Sequence, residues 1–168
     1  MSAAQSQPAR DAALAGRVRE ILAGVPDPEI PVVSVVDLGI VRGAHEEGGR
    51  LVVDVTPTYS GCPATEVIEA DIAAALRRAG WKEVEVRRQL APPWTTDWIS
   101  EAGRERLRAF GIAPPPGSRS LRGPALPVAC PHCNSTDTTR LSEFGSTPCK
   151  SAWRCEACRE PFDHFKCI

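Results

Sequence analysis

Six of the seven cysteines of this 168-residue chain lie beyond residue 129, and four of those fall into two short repeats, "CPHC" (130–133) and "CEAC" (155–158). A two-residue spacing lets both sulfurs of a pair face one ion while nearby backbone amides donate to them. Two such pairs close a tetrahedral site. Cys130, Cys133, Cys155 and Cys158, with 21 residues between the pairs, therefore predict a four-thiolate centre for Zn²⁺ or a single iron. The rival chemistry is a redox-active CxxC. It is disfavoured because two pairs are present and neither follows a thioredoxin-like β-α-β unit. A closed Cys₄ centre keeps no open coordination position, so its expected role is structural or docking rather than catalytic. Cys149 and Cys167 are left over, either as small packed hydrophobes or as accessory ligands to this or a second soft-metal site. His132 and His164 are alternate ligands by type but read better as ordinary residues.

The seventh cysteine stands alone, Cys62 in "TPTYSGCPATEVIEADI" (56–72). Pro63 suits the first position of a helix, which makes Cys62 the expected N-cap, beside the free N–H groups and the positive end of the dipole. That field favours thiolate, the form that binds metal or attacks electrophiles. Gly61 permits a sharp strand-to-helix turn. Two readings stay open here, a cysteine that merely caps a helix and a reactive thiolate. A Cys–His hydrolase would have to recruit His45 from a distant hairpin and is the weakest alternative. The carboxylates of "DPEIP" (27–31) and "VVDLGIV" (35–41), Asp27, Glu29 and Asp37, are either turn-formers or the lining of the site around Cys62.

The elements that must position these groups follow from periodicity. Leu14, Val18, Ile21 and Leu22 form one face of a helix over 11–24. The prolines of 25–41 begin an extended or turning segment that leads into a strand, "EEGG" (46–49) turns it, and 50–58 returns it. Residues 63–80 give the clearest helix, with Ala64, Val67, Ile68, Ile72, Ala75, Leu76 and Ala79 as its apolar stripe. A strand is expected over 82–90 and a more polar helix over 95–111, capped by Thr96 or Asp97. The order α-β-β-α-β, then α, predicts an α+β domain over 1–111. Residues 112–127 hold five prolines and two glycines without periodicity, which predicts a semi-rigid linker. Residues 128–168 are too few to bury a self-sufficient core without a metal staple, and their short strands around the two cysteine pairs predict a zinc ribbon.

Composition bounds the partners. Hydrophobic residues make 42% of the chain and charged residues 24%, with a net charge of -1. Residues 1–111 carry 13 basic against 16 acidic side chains, and 130–168 carry 5 against 5, so neither nucleic acid nor an anionic membrane is an expected partner. No apolar run approaches the roughly 20 residues that span a bilayer. The first 20 residues lack the apolar core of a secretory signal, and the odd cysteine count favours metal or thiol chemistry, so the expected location is the cytoplasm.

The stretches "DPEIP", "SVVDLGIV" and "TPTYSGCPATEVIEADI" resemble the small α/β domain of the SufT-like iron–sulfur assembly factors, over about residues 12–91. Together with "PPWTTDWISEAGRERLRAFGIAPP" and the cysteine-rich C-terminal region, nearly the whole chain is similar to the accessory subunits of the phenylacetyl-CoA 1,2-epoxidase system. The resemblance implies maturation of a metal cofactor rather than catalysis. It implies that Cys62 handles iron or a transient iron–sulfur cluster, with Asp27, Glu29, Asp37 and Thr58 shaping its pocket. The implied partners are the reductase or oxygenase components and the iron–sulfur assembly machinery. One cysteine cannot fill a cluster's ligand set, so a homodimer, Cys149 or Cys167, or an external thiol would complete it. A non-catalytic structural subunit of the oxygenase is the competing implication.

Overall fold

The structure is a computed structural model that describes residues 7–116 and 127–166. Cys167 and most of the expected linker, 117–126, lie outside the described residues. The chain divides into two compact units. The first comprises Met1–Pro57 and Pro63–Pro93; the second comprises Thr58–Cys62 and Trp94–Ile168.

In the first unit, helix α1 (Gln7–Leu22) is followed by a turning segment in which the expected strand does not begin until Val41. Apart from a single antiparallel bridge of Ser34 to Pro26, residues 31–39 are turns and bends instead, because side chains compete for the backbone there: Asp37 Oδ2 accepts from the Ser34 amide at 3.0 Å, while Ser34 Oγ accepts from the Asp37 amide at 3.0 Å. Strand β1 (Val41–Glu47) then pairs antiparallel with β2 (Arg50–Val55), from Glu47 opposite Arg50 to Val41 opposite Val55. Gly48 and Gly49, at φ 58° and 81°, make the two-residue turn between them, which needs φ > 0 at both positions. Helix α2 (Thr65–Arg78) crosses back so that β3 (Val84–Arg88) pairs parallel to β2, giving the sheet order β1-β2-β3. Val18 and Leu22 of α1, Ile68, Ile72 and Leu76 of α2, and Leu51, Val53 and Val55 of β2 are buried as the core. Of the expected α2 stripe, Ala64, Ile68, Ile72, Ala75 and Leu76 are buried, while Val67 and Ala79 at its margins are exposed.

In the second unit the helix expected over 95–111 is broken in two. A 3₁₀ turn spans Thr96–Trp98, and helix α3 covers Glu101–Ala109. The N-cap of α3 is Ser100, whose hydroxyl accepts from the Gly103 amide at 2.9 Å, and Thr95 caps the 3₁₀ turn instead. Neither expected cap, Thr96 or Asp97, serves the long helix, because extended backbone at Ile99 and Ser100 separates the two pieces. The segment expected to open the linker contains strand β4 (Ile112–Ala113). It pairs parallel with β7 (Pro161–Phe165) in a sheet of order β4-β7-β6-β5, with β5 spanning Thr138–Ser142 and β6 Lys150–Cys155. The antiparallel β5-β6-β7 meander is the ribbon, and its small core is Ala113, Cys130, Cys155 and Phe162. Lys150 is buried beside Asp163 at 3.4 Å, and Gly145 approaches so closely that a Cβ there would stand 2.7 Å from Asp163 Oδ1. Among the described residues no helix is long and apolar enough to cross a membrane.

Candidate functional site

The four sulfurs of Cys130, Cys133, Cys155 and Cys158 lie within 4.8 Å of one another. Cys130 and Cys158 are 3.8 Å apart at Sγ, and Cys133 and Cys155 are 3.5 Å apart. Sulfurs held about 2.3 Å from a tetrahedral ion stand about 3.8 Å from one another, so the observed separations fit a Cys₄ zinc site. Each pair sits on a knuckle that turns its amides inward. The His132 N–H donates to Cys130 Sγ at 3.4 Å, and the Cys158 N–H donates to Cys155 Sγ at 3.5 Å. Both knuckles end on a left-handed residue, Asn134 at φ 60° and Arg159 at φ 66°. Asn tolerates that conformation and Arg does not favour it, so nothing in the residue type at 159 signals the turn.

The thiols respond to one another. The Cys158 backbone amide, followed by the neighbouring thiols, pulls Cys155 down to about 7 against the cost of burial. Cys158 goes the other way, to about 12: the Glu160 amide acts to lower it, but burial and the thiols of Cys155, Cys133 and Cys130 outweigh that bond. Four sulfurs this close ionise together only around a cation, which is the donor chemistry of a structural zinc ribbon. Cys149 is not one of the four. It is buried at the head of β6 with Sγ 3.1 Å from the Thr147 hydroxyl.

Cys62 is half-buried in a turn, where its amide donates to the Tyr59 carbonyl at 3.1 Å. It is not the cap of α2. That helix begins at Thr65 with Ala64 as N-cap, in αR geometry and without a side-chain cap bond. Pro63 restricts Cys62 to extended backbone and is itself followed by a turn, so the helix starts two residues later than expected. The dipole argument for thiolate is weakened accordingly, since the effect fades within about one turn. Gly61 has a local reason that residue type alone does not display. A Cβ there would stand 3.0 Å from the ring of Tyr59, which folds back over it.

The expected pocket residues hold loops. Asp27 is 7% exposed, and its Oδ1 accepts from the amides of Glu29 and Ile30, both at 2.9 Å. Asp37, 8% exposed, closes the reciprocal pair with Ser34. Glu29 is half-buried in the Asp27 turn. These three belong to the first unit, whereas Thr58, half-buried, and Cys62 group with the second. His164, an alternate ligand by residue type, is not part of the four-cysteine cluster. Its position two residues after Phe162 in a strand points it inward, an alternation visible in "PFDHF". It is 9% exposed, its ring meets Trp153 edge-on at 5.9 Å, and its Nε2 has no hydrogen-bond partner among the described residues. Burial pushes its imidazole down to about 4.

Comparison with known proteins fits both halves of this picture. Residues 16–87 match the family described as iron-sulfur cluster assembly protein, and residues 114–166 match the PaaD zinc beta ribbon domain. The chain is 51% identical over 148 residues to a putative 1,2-phenylacetyl-CoA epoxidase subunit of Escherichia coli K12, covering 88% of this chain and 90% of that one. It is 34% identical over 97 residues to the Fe-S protein maturation auxiliary factor YitW of Bacillus subtilis, covering 56% of this chain and 94% of that one. Among solved structures, a domain of unknown function, DUF59, from Bacillus anthracis aligns with a TM-score of 0.52 at 29% identity, over 58% of this chain and 94% of that one.

Proposed function

Because the chain belongs to the family of the Escherichia coli epoxidase subunit, an iron–sulfur assembly domain followed by a PaaD zinc ribbon, we propose that it matures a metal cofactor for that enzyme system rather than turning over substrate itself. The observation that carries this reading is the match of residues 16–87 to the assembly family, a span that contains Cys62 on a half-buried loop. In this reading Cys62 binds iron or a labile cluster as cargo. Asp27, Glu29 and Asp37 fix loops of the assembly domain, and Thr58 lies in the same segment as the thiol. Transfer is ligand exchange. A thiolate of the client forms its bond to iron as the Cys62–iron bond breaks, and no electron is consumed. The remaining cargo ligands come from a second copy or an external thiol, because one cysteine is too few. The recipient is the reductase or the oxygenase component. The ribbon, closed by four thiolates, holds its fold and offers a docking face.

The test is complementation of a strain lacking the gene, with Cys62→Ala. The variant is expected to fold, to keep about one zinc per chain, and to leave the client without its iron. Full complementation, with normal client iron after anaerobic purification, would sink the carrier reading. A second reading rests on the relative's description as a subunit: a purely structural component of the oxygenase. In that case Cys62→Ala restores activity while deletion of the chain disperses the complex.

A further inference from the structure

Within the second unit, the end of α3, the prolyl segment 114–116 and residues 127–129 line an open cleft of about 430 Å³ with His164 in its wall. That volume lies inside the range of small-molecule sites, roughly 300–1,000 Å³. Much of its lining is apolar, with Pro115, Pro116 and Val128 contributing. Two arginines, Arg104 and Arg108, and a neutral imidazole, His164, also line it, and no acidic side chain does among the described residues. Their situations differ. Arg104 is committed to the fold, donating to the carbonyls of Pro115 and of Thr96. The Arg108 side chain is exposed and makes no hydrogen bond or ion pair among the described residues, its backbone carbonyl accepting from the Gly111 amide at 3.0 Å. His164 contributes its ring to the wall, while its Nε2 has almost no accessible surface and no hydrogen-bond partner among the described residues.

A position in the last turn of α3 gives Arg108 one ordinary purpose, complementing the helix dipole, but that purpose is served equally by Arg106. The cleft also stands on fixed elements. Ala113 of β4 is registered opposite His164 of β7, and three consecutive prolines restrict the chain that follows.

We propose that this cleft binds a small organic anion, a carboxylate on an apolar stem. The carboxylate pairs with the Arg108 guanidinium, and the stem lies against the prolines, Val128 and the His164 ring. This site is separate from the chemistry assigned to Cys62 and stands or falls independently of it.

The probe is hexanoate, titrated into the full-length zinc-loaded chain and followed by two-dimensional NMR of the Arg108 Nε–H and the His164 ring. Hexan-1-ol and inorganic phosphate serve as stem-only and anion-only controls. Saturable shifts at both residues are expected near about 1 mM, the range of a fragment with few atoms. Arg108→Gln, on an exposed position, should weaken hexanoate about tenfold, as loss of a charge-assisted hydrogen bond does. His164→Phe, which keeps a ring in the wall, should leave hexanoate affinity little changed. Absence of saturation with hexanoate overturns the proposal. So does equal affinity in Arg108→Gln, or binding of phosphate or hexanol as tight as that of hexanoate.

Discussion

His164 makes the ribbon sensitive to acid by a route separate from zinc. Its folded-state imidazole is pushed down to about 4 by burial, against an ordinary value of 6.5. A base depressed in the folded state takes up its proton preferentially when the chain unfolds. Its contribution to stability is therefore fully present above pH 6.5 and is lost as pH falls through 4. Replacing it with phenylalanine, which cannot titrate, should flatten the stability of the second unit between pH 6.5 and 4, as read from denaturant midpoints of its tryptophan signal. An unchanged slope would mean that cysteine protonation alone sets the acid limit. Single residues were unevenly legible from sequence. The four clustered cysteines announced themselves by spacing, and Asp27 and Asp37 by their turn chemistry. Arg159 in a left-handed turn and the Tyr59 ring over Gly61 did not, because both depend on how the backbone closes rather than on residue type.

The knuckles are the elements on which metal affinity turns. Each needs one left-handed residue directly after its second cysteine, Asn134 in the first and Arg159 in the second. A β-branched residue is disfavoured most in that region, and the cost for ordinary L-residues is roughly 1–2 kcal/mol. Asn134→Val and Arg159→Val should each weaken zinc binding about tenfold in competition with a chromophoric chelator. Asn134→Gly and Arg159→Gly should hold or improve it. Equal affinity in the valine and glycine variants would show that the turns relax freely. Elsewhere, elements were legible in proportion to their length and patterning. The stripe of α2 and the glycine turn between β1 and β2 were evident. The split of 95–111 was hidden because Thr95, Thr96, Asp97 and Ser100 are all plausible caps, and only extended backbone at Ile99 decides among them. The two residues of β4 gain strand character from pairing with β7 alone, a contact no local pattern reveals.

At the scale of the whole molecule, the two units differ in what holds them together. The first buries a continuous apolar core, with Val18, Leu22, Leu51, Ile72 and Leu76 all at or below 1% exposure. The ribbon's own core cluster consists of Ala113, Phe162 and two of the four clustered cysteines, Cys130 and Cys155. A core built partly from thiolates depends on the ion that neutralises them. Local patterning puts the boundary at residue 111, whereas α3 groups with the ribbon unit from Trp94 onward. A short polar helix does not declare which core it will cover. Its buried residues, Gly103 and Leu107, are too few to form a stripe that points anywhere. The consequence is testable on the intact chain. Stripping zinc with a strong chelator should unfold the segment from Trp94 onward, α3 included, and leave the first unit folded. Heating the zinc-loaded chain should then give two transitions, with only the one reported by amides of 94–116 and 127–166 lost on chelation. Had the boundary lain at 111, the α3 amides would stay protected from hydrogen exchange after zinc removal, together with those of α2 and β2. Protection at Leu107 after chelation is the measurement that separates the two divisions of the chain, because that side chain is fully buried and its amide lies inside the helix.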